Sequence, residues 1–255
     1  MYPQTHVYFA ERVCGELSDA LVLGSIFPDM IAALAPGREE SHGRGKELLA
    51  ALGDDPQLRD FARGVLTHGV TPEGLDYYGD EKYLHYERGY CFEKGRPIVE
   101  ETIRACNLPP AMGWWKSHNI VEMGIELITG EGSFYGRALA AAFSNAVLID
   151  KISRRVAPLY GVEPRRLYQR IHNFPYYIEI ARLTPRTLAA KYDVQMFYKH
   201  RIRIDIERTA RLIATARHIV EADLEEFFKY AEEQVRQNML KAGAWEPVVK
   251  SPGHA

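Results

Sequence analysis

Residues 193–240 include neither proline nor glycine. Within them Ile202, Ile206, Ala210, Ile213 and Val220 recur at helical spacing with charged residues between, so one face is apolar and the other wettable. Such a run predicts one long helix, or two joined by a bend near 218–223. Strand-like alternation is rare elsewhere, and the other segments keep the helical period. A first helix is expected from about Thr5, with Val7, Ala10, Val13, Cys14 and Leu17 along one side. Another spans Pro56–His68, with Leu58, Phe61 and Val65 inward. Residues 81–106 read as helix broken near Gly95-Arg96-Pro97, and 114–127 as helix after Pro109-Pro110. Residues 24–29 are expected to end or kink their helix, because Pro28 disfavours helical geometry at Phe27. A glycine-marked loop carries His42, residues 136–156 read as a buried helix, and Asn173-Phe174-Pro175 is a break. The expectation is an all-α, multi-helix bundle with a long C-terminal helical region. It forms a single domain over residues 1–245, with a metal-site half to about 130, a scaffold half over about 131–245, and a flexible tail at 246–255.

A chain of 255 residues, 46% hydrophobic, has ample apolar surface for a core. Its formal net charge of -2 gives no global attraction to nucleic acid or anionic membranes, so no specific nucleic-acid binding is expected. The basic stretch 199–203 reads as a solvated face. No positively charged start precedes an apolar core, and the longest apolar runs fall short of a membrane span. Cys14, Cys91 and Cys106 are odd in number and widely spaced, which reads as free thiols and a cytoplasmic protein. The long C-terminal face is compatible with a homo-oligomer.

His6, Asp29, His42, His68, His118 and Glu122 follow one another along the first half. Imidazole and carboxylate without thiolate suit a divalent ion in a hydrolytic site, not a structural zinc. His118 and Glu122, four apart on a helix, share a face. Taken singly, such a pair is equally a surface polar pair, Asp29 a helix cap and His68 a core histidine. The series, not any member, carries the argument. Tyr77, Tyr78, Tyr83, Tyr86 and Tyr90 read as half-buried packing, and Trp114, one turn before His118, as the wall of a pocket.

This series resembles the zinc-dependent phospholipase C family, which shares an all-helical fold with fungal single-strand-specific nucleases. Thr5-His6, Gly24 through Pro28-Asp29, His42, Gly64-x-x-x-His68 and His118-x-x-x-Glu122 carry the resemblance. It implies two or three zinc ions. Asp29, His42 and His68 would hold one, His118 and Glu122 a second, and His6 would help hold a third. Where the family has a bridging Asp four residues after the His68 equivalent, this chain has Pro72, so Asp76 or Asp80 would supply that carboxylate. The second ion's remaining histidine would be His85. The family's third ion also takes the N-terminal amine; here the histidine stands at position six, behind Met1-Tyr2-Pro3-Gln4, which argues against a third ion. The implied activity is hydrolysis of a small phosphoester, a phosphodiester first, with Asp29 and Glu122 as catalytic carboxylates. The alternatives are a nucleotide phosphatase or nuclease on the same metal site, and a helical scaffold that has lost the full ligand set, which Pro72 favours. No Gly-x-Ser-x-Gly elbow or His-Asp dipeptide offers a different hydrolytic chemistry.

Overall fold

The computed structural model describes residues 1–35 and 37–244, and among them regular structure is helical, without a strand. The helices are α1 (Pro3–Cys14), α2 (Asp19–Ile31), α3 (Gly37–His42), α4 (Gly45–Leu52), α5 (Pro56–His68), α6 (Tyr90–Gly95), α7 (Val99–Ala105), α8 (Gly113–Thr129), α9 (Phe134–Ser144), α10 (Ala146–Val156), α11 (Pro164–Asn173), α12 (Pro185–His200), α13 (Ile206–Glu221) and α14 (Leu224–Lys241). None of the described helices is long and apolar enough to cross a membrane. Cys14, Cys91 and Cys106 are free thiols. The expected tail at 246–255 lies outside the described residues.

Two apolar clusters organise the bundle, and each draws on both halves of the chain. One joins α1 and α8 to α12, α13 and α14 through Phe9, Ile120, Tyr192, Ile213 and Phe227. The other joins α2 and α5 to α9, α10 and α11 through Phe27, Phe61, Leu139, Ile152 and Leu167. Side chains of this size contribute about 1.5–3 kcal/mol each when fully buried. Helix α1 lies between the clusters, with Phe9 in the first and Val7 in the second. That seam is where the ligand series converges.

Three local features set the seam. Helix α2 runs through Pro28 to Ile31, so it does not end at 24–29, one of the two outcomes expected there. Pro28 removes one backbone donor, but packing against α5 holds the helix together, and two glycines let the backbones touch. A Cβ on Gly24 would lie 2.0 Å from the Phe61 carbonyl oxygen, and one on Gly64 would lie 2.4 Å from that of Leu21. The second feature is the start of α1, which lacks a side-chain cap from Tyr2. Instead the buried Glu126 carboxylate of α8 accepts from the Gln4 and Thr5 amides at 2.8 and 2.7 Å, satisfying donors a helix start leaves open. Burial pushes Glu126 up to about 7 against those hydrogen bonds. The third is the loop after α5, which returns over the helix end (Gly74 N to Gly69 O, 2.9 Å) and enters a single π turn, Tyr77–Glu81.

Elsewhere boundaries depart from the expected ones for identifiable reasons. The C-terminal run is three helices rather than one or two. The bend near 218–223 is present between α13 and α14, but residues 201–205 also break the run. There Arg201 adopts φ 60, Asp193 accepts from Arg203 (2.6 Å) and the Ile204 amide (3.0 Å), and Asp205 caps α13. Residues 136–156 fall into α9 and α10, divided at Asn145, which caps α10 through the Leu148 amide. Residues 82–89 are irregular where helix was expected, and His42 ends a short helix, α3, instead of sitting in a loop.

Candidate metal centre

The seam gathers His6 from α1, Asp29 from α2, His42 from α3, His68 from α5, Asp76 and Asp80 from the π-turn loop, and His118 and Glu122 from α8. Their ligand atoms form three groups, each within 4.8 Å: His6, His68 and Asp76; Asp29, His42 and His68; Asp80, His118 and Glu122. Asp76 is the hub. Its Oδ1 lies 2.7 Å from the Met1 amine and 3.4 Å from His6 Nε2; its Oδ2 lies 3.3 Å from His68 Nε2 and 3.5 Å from His42 Nε2. The Met1 amine also reaches Glu122 at 3.0 Å, linking the hub to the third group.

The hydrogen bonds set imidazole Nε2 atoms toward that hub. His68 Nδ1 donates to the Ser25 carbonyl at 2.7 Å, a contact the Gly24–Gly64 crossing permits, and this turns Nε2 toward Asp76. Ser41 Oγ lies 2.7 Å from His42 Nδ1, which turns His42 Nε2 toward Asp76 as well. His6 and His68 stack with ring centroids 3.6 Å apart. Burial, the His68 ring and the Met1 amine lower His6 to about 3, so it is neutral at pH 7. His6 Nε2, His68 Nε2 and Asp80 Oδ1 are buried without a hydrogen-bond partner. Three imidazole nitrogens converge on one buried carboxylate, and His6, neutral at pH 7, has a lone pair to give, so the donor set fits a divalent ion. The Met1 ammonium, raised well above its ordinary value because the attraction of Asp76 and Glu122 outweighs desolvation, already places one positive charge there.

The carboxylates differ in proton affinity. Burial alone would raise Asp29 and Asp76, but His42 and His68 around the first and the Met1 amine and His68 around the second hold both below the usual range. Asp80 is pushed up to about 6 by burial and by the charges of Glu122 and Asp76. His118, stacked on Phe92 at 4.2 Å, is lowered to about 4 by burial. Asn119 Nδ2 lies 3.0 Å from His118 Nε2 and 3.2 Å from Glu122 Oε2, holding that pair together.

The groups floor a cleft of about 430 Å³, within the range of small-molecule sites. Its walls include residues that sequence reasoning assigned to scaffold: Arg170 of α11, Tyr177, and Tyr192 and Lys199 of α12. Lys199 belongs to the basic stretch read as a solvated face. Trp115, 49% exposed, lines the cleft where Trp114 was expected; Trp114 donates to the Phe92 carbonyl and stacks under Arg96. The five tyrosines are packing: Tyr78, Tyr83 and Tyr90 are buried, with Tyr90 stacked on Phe227.

One expected site residue is misplaced. His85 is exposed against Tyr86, outside all three groups, because the chain leaves the π turn at Lys82 and the stretch to Gly89 loops outward. Asp80, one turn after Asp76, stands with His118 and Glu122 instead. Asp76 and Asp80, weighed as alternatives for one role, occupy two. The Met1 amine, argued against as a ligand because it stands five residues before His6, reaches Asp76, and Arg38, which pairs with Asp80 at 2.7 Å, was not foreseen; an arginine in a glycine-flanked acidic stretch carries no distinguishing signal. No protein-family model, curated protein or solved structure matches this chain.

Proposed function

We propose that this chain is a metal-dependent phosphoester hydrolase of the zinc-dependent phospholipase C type, acting first on phosphodiesters. The observation that carries the reading is the Asp76 carboxylate, approached by three imidazole nitrogens within 3.5 Å. Asp29, His42, His68 and Asp76 would hold one ion, and Asp80, His118 and Glu122 a second. His6 and Asp76, with the Met1 amine once it gives up its proton, would hold a third. Divalent ions there, zinc foremost, would supply Lewis acidity toward the phosphoryl oxygens and lower the pKa of a neighbouring water. Asp29, its side chain 36% exposed at the cleft, is ionised at neutral pH and orients an attacking water by accepting its hydrogen bond. Arg38, its side chain 43% exposed, keeps N–H donors free for a phosphoryl oxygen while pairing with Asp80. Glu122 balances the charge of the second group. The scaffold reading leaned on Pro72; Asp76 among the histidines supplies a carboxylate that proline cannot, and so favours the enzyme.

Zinc-reconstituted protein is expected to hydrolyse bis(p-nitrophenyl) phosphate, to lose that activity to a chelator and to regain it with added metal. Protein that carries two ions yet turns over neither this diester nor p-nitrophenyl phosphate would sink the proposal.

The proton affinities give a second expectation. Cation binding needs ionised carboxylates, so above about 6 Asp80 is available, and below it a proton competes. Asp29 and Asp76 stay ionised well below that pH. Dialysis at falling pH from 7.5 to 5 should therefore release the ion at Asp80, His118 and Glu122 first, with affinity falling up to about tenfold per unit once Asp80 is protonated. Elemental analysis of wild type and His118→Ala follows this: the variant should lack the early step. An early step of the same size in His118→Ala would show that it belongs to another group.

A further inference from the structure

Among the described residues, the charged groups of the cleft wall outside the three ligand groups are all positive. Its acidic residues are Asp29, Asp76, Asp80 and Glu122, all of them in those groups. Its cations are the Met1 ammonium, Arg38, Lys116, Arg170 and Lys199, and among the described residues only the first two have a carboxylate partner. Lys116 is the informative one. It is 5% exposed, yet among the described residues its ammonium has no hydrogen-bond acceptor and no ion pair, and it rests 3.8 Å from the Trp115 ring centroid. A buried lysine normally has a partner, because removing an ammonium from water costs several kcal/mol or so unless a counter-charge or acceptor replaces the solvent. A cation–π contact returns about 0.5–2 kcal/mol, and the cleft that Lys116 lines leaves room for an acceptor brought by a ligand. Arg170 is in a similar state: Nε donates to the Met30 carbonyl at 2.8 Å, while the guanidinium lies over Phe174 and Tyr177 with no ion-pair partner among the described residues. Lys199 brings a third charge from α12.

We infer that Lys116, Arg170 and Lys199 form a subsite for a second phosphate group on the substrate of the metal centre. The inference rests on the phosphoester-hydrolase reading for its substrate and adds the charge that substrate carries. Lys116 precedes Glu122 by six residues on α8, about 9 Å along the axis at 1.5 Å per residue, so the second phosphate stands several bonds from the scissile one. The exposed indole of Trp115, against Lys116, offers a flat apolar surface to a group beside the second phosphate. A choline-like cation, by contrast, would meet three unpaired positive charges and no free carboxylate.

The test is equilibrium binding to the zinc-loaded full chain, with turnover measured in parallel. Thymidine 5′-phosphate and thymidine 3′,5′-bisphosphate differ only in the second phosphate. The bisphosphate is expected to bind at least tenfold tighter, and that ratio should fall to about threefold or less in Lys116→Met and, separately, in Lys199→Ala. The exposed Lys199 gives a readout that does not depend on tolerance of a change in the core. Equal affinity for the two nucleotides in wild type would overturn the inference, as would a ratio unmoved in both variants. A preference for p-nitrophenylphosphorylcholine over both p-nitrophenyl esters of these nucleotides would do the same. Turnover separates the two readings. A bisphosphate preference without hydrolysis of any p-nitrophenyl ester supports the subsite and counts against the hydrolase, whereas hydrolysis without the preference does the reverse.

Discussion

Asp76→Asn is expected to strip metal from the two ligand groups that meet at residue 76 and to abolish phosphodiester hydrolysis. The carboxylate faces the Met1 amine, His6, His42, His68 and, at 3.6 Å, Arg38, and an amide keeps its shape but not its charge. An outer-shell partner costs 10–100-fold in metal affinity, so a carboxylate shared between groups should cost at least about 100-fold. The metal-free protein should also lose about 3–5 kcal/mol, because a buried ammonium is left with Glu122 alone. Elemental analysis and thermal melts read the two effects separately. Wild-type metal content in a folded Asp76→Asn variant would remove the hub from the account.

The second large effect is structural. Gly64→Ala should force α2 and α5 apart, since its Cβ would fall 2.4 Å from the Leu21 carbonyl oxygen and 2.6 Å from the Ser25 amide nitrogen, both backbone atoms that no rotamer change can move. Overpacking a core costs about 1–3 kcal/mol, and a backbone clash belongs at or above the upper end. At about 2–4 °C per kcal/mol for a chain of this size, the melting temperature should drop by roughly 6–12 °C. The same displacement pulls Ser25 from His68 Nδ1, so metal affinity should fall with stability. A Gly64→Ala variant that melts like wild type would mean the helices do not cross this closely.

These two residues also mark what was legible beforehand. The helical class could be read from periodicity, and a helix from about Pro56 to His68 was legible from the spacing of Leu58, Phe61 and Val65. His6, Asp29, His42, His68, His118 and Glu122 were legible as a series because ligand types recur near turn-formers. Asp76 was legible only as one of two substitutes for the carboxylate that Pro72 displaces, since a loop fixes no side-chain direction until its tertiary contacts are known. His85 was misread for the same reason: sequence distance from the helix pair says nothing of which way residues 82–89 turn. The break at 201–205 was invisible because its cause, Asp193 gathering Arg203 and Ile204, involves no proline or glycine. The cationic wall was missed because Lys116, Arg170 and Lys199 are far apart in the chain and meet only in the folded cleft.

The decisive measurement is metal content per chain in the untagged protein after zinc reconstitution and removal of excess ion. Two or three equivalents are expected, falling by at least one in Asp76→Asn and by one in His118→Ala. No bound zinc, manganese or iron in a folded wild-type protein would contradict the metal centre, and with it the hydrolase built on it.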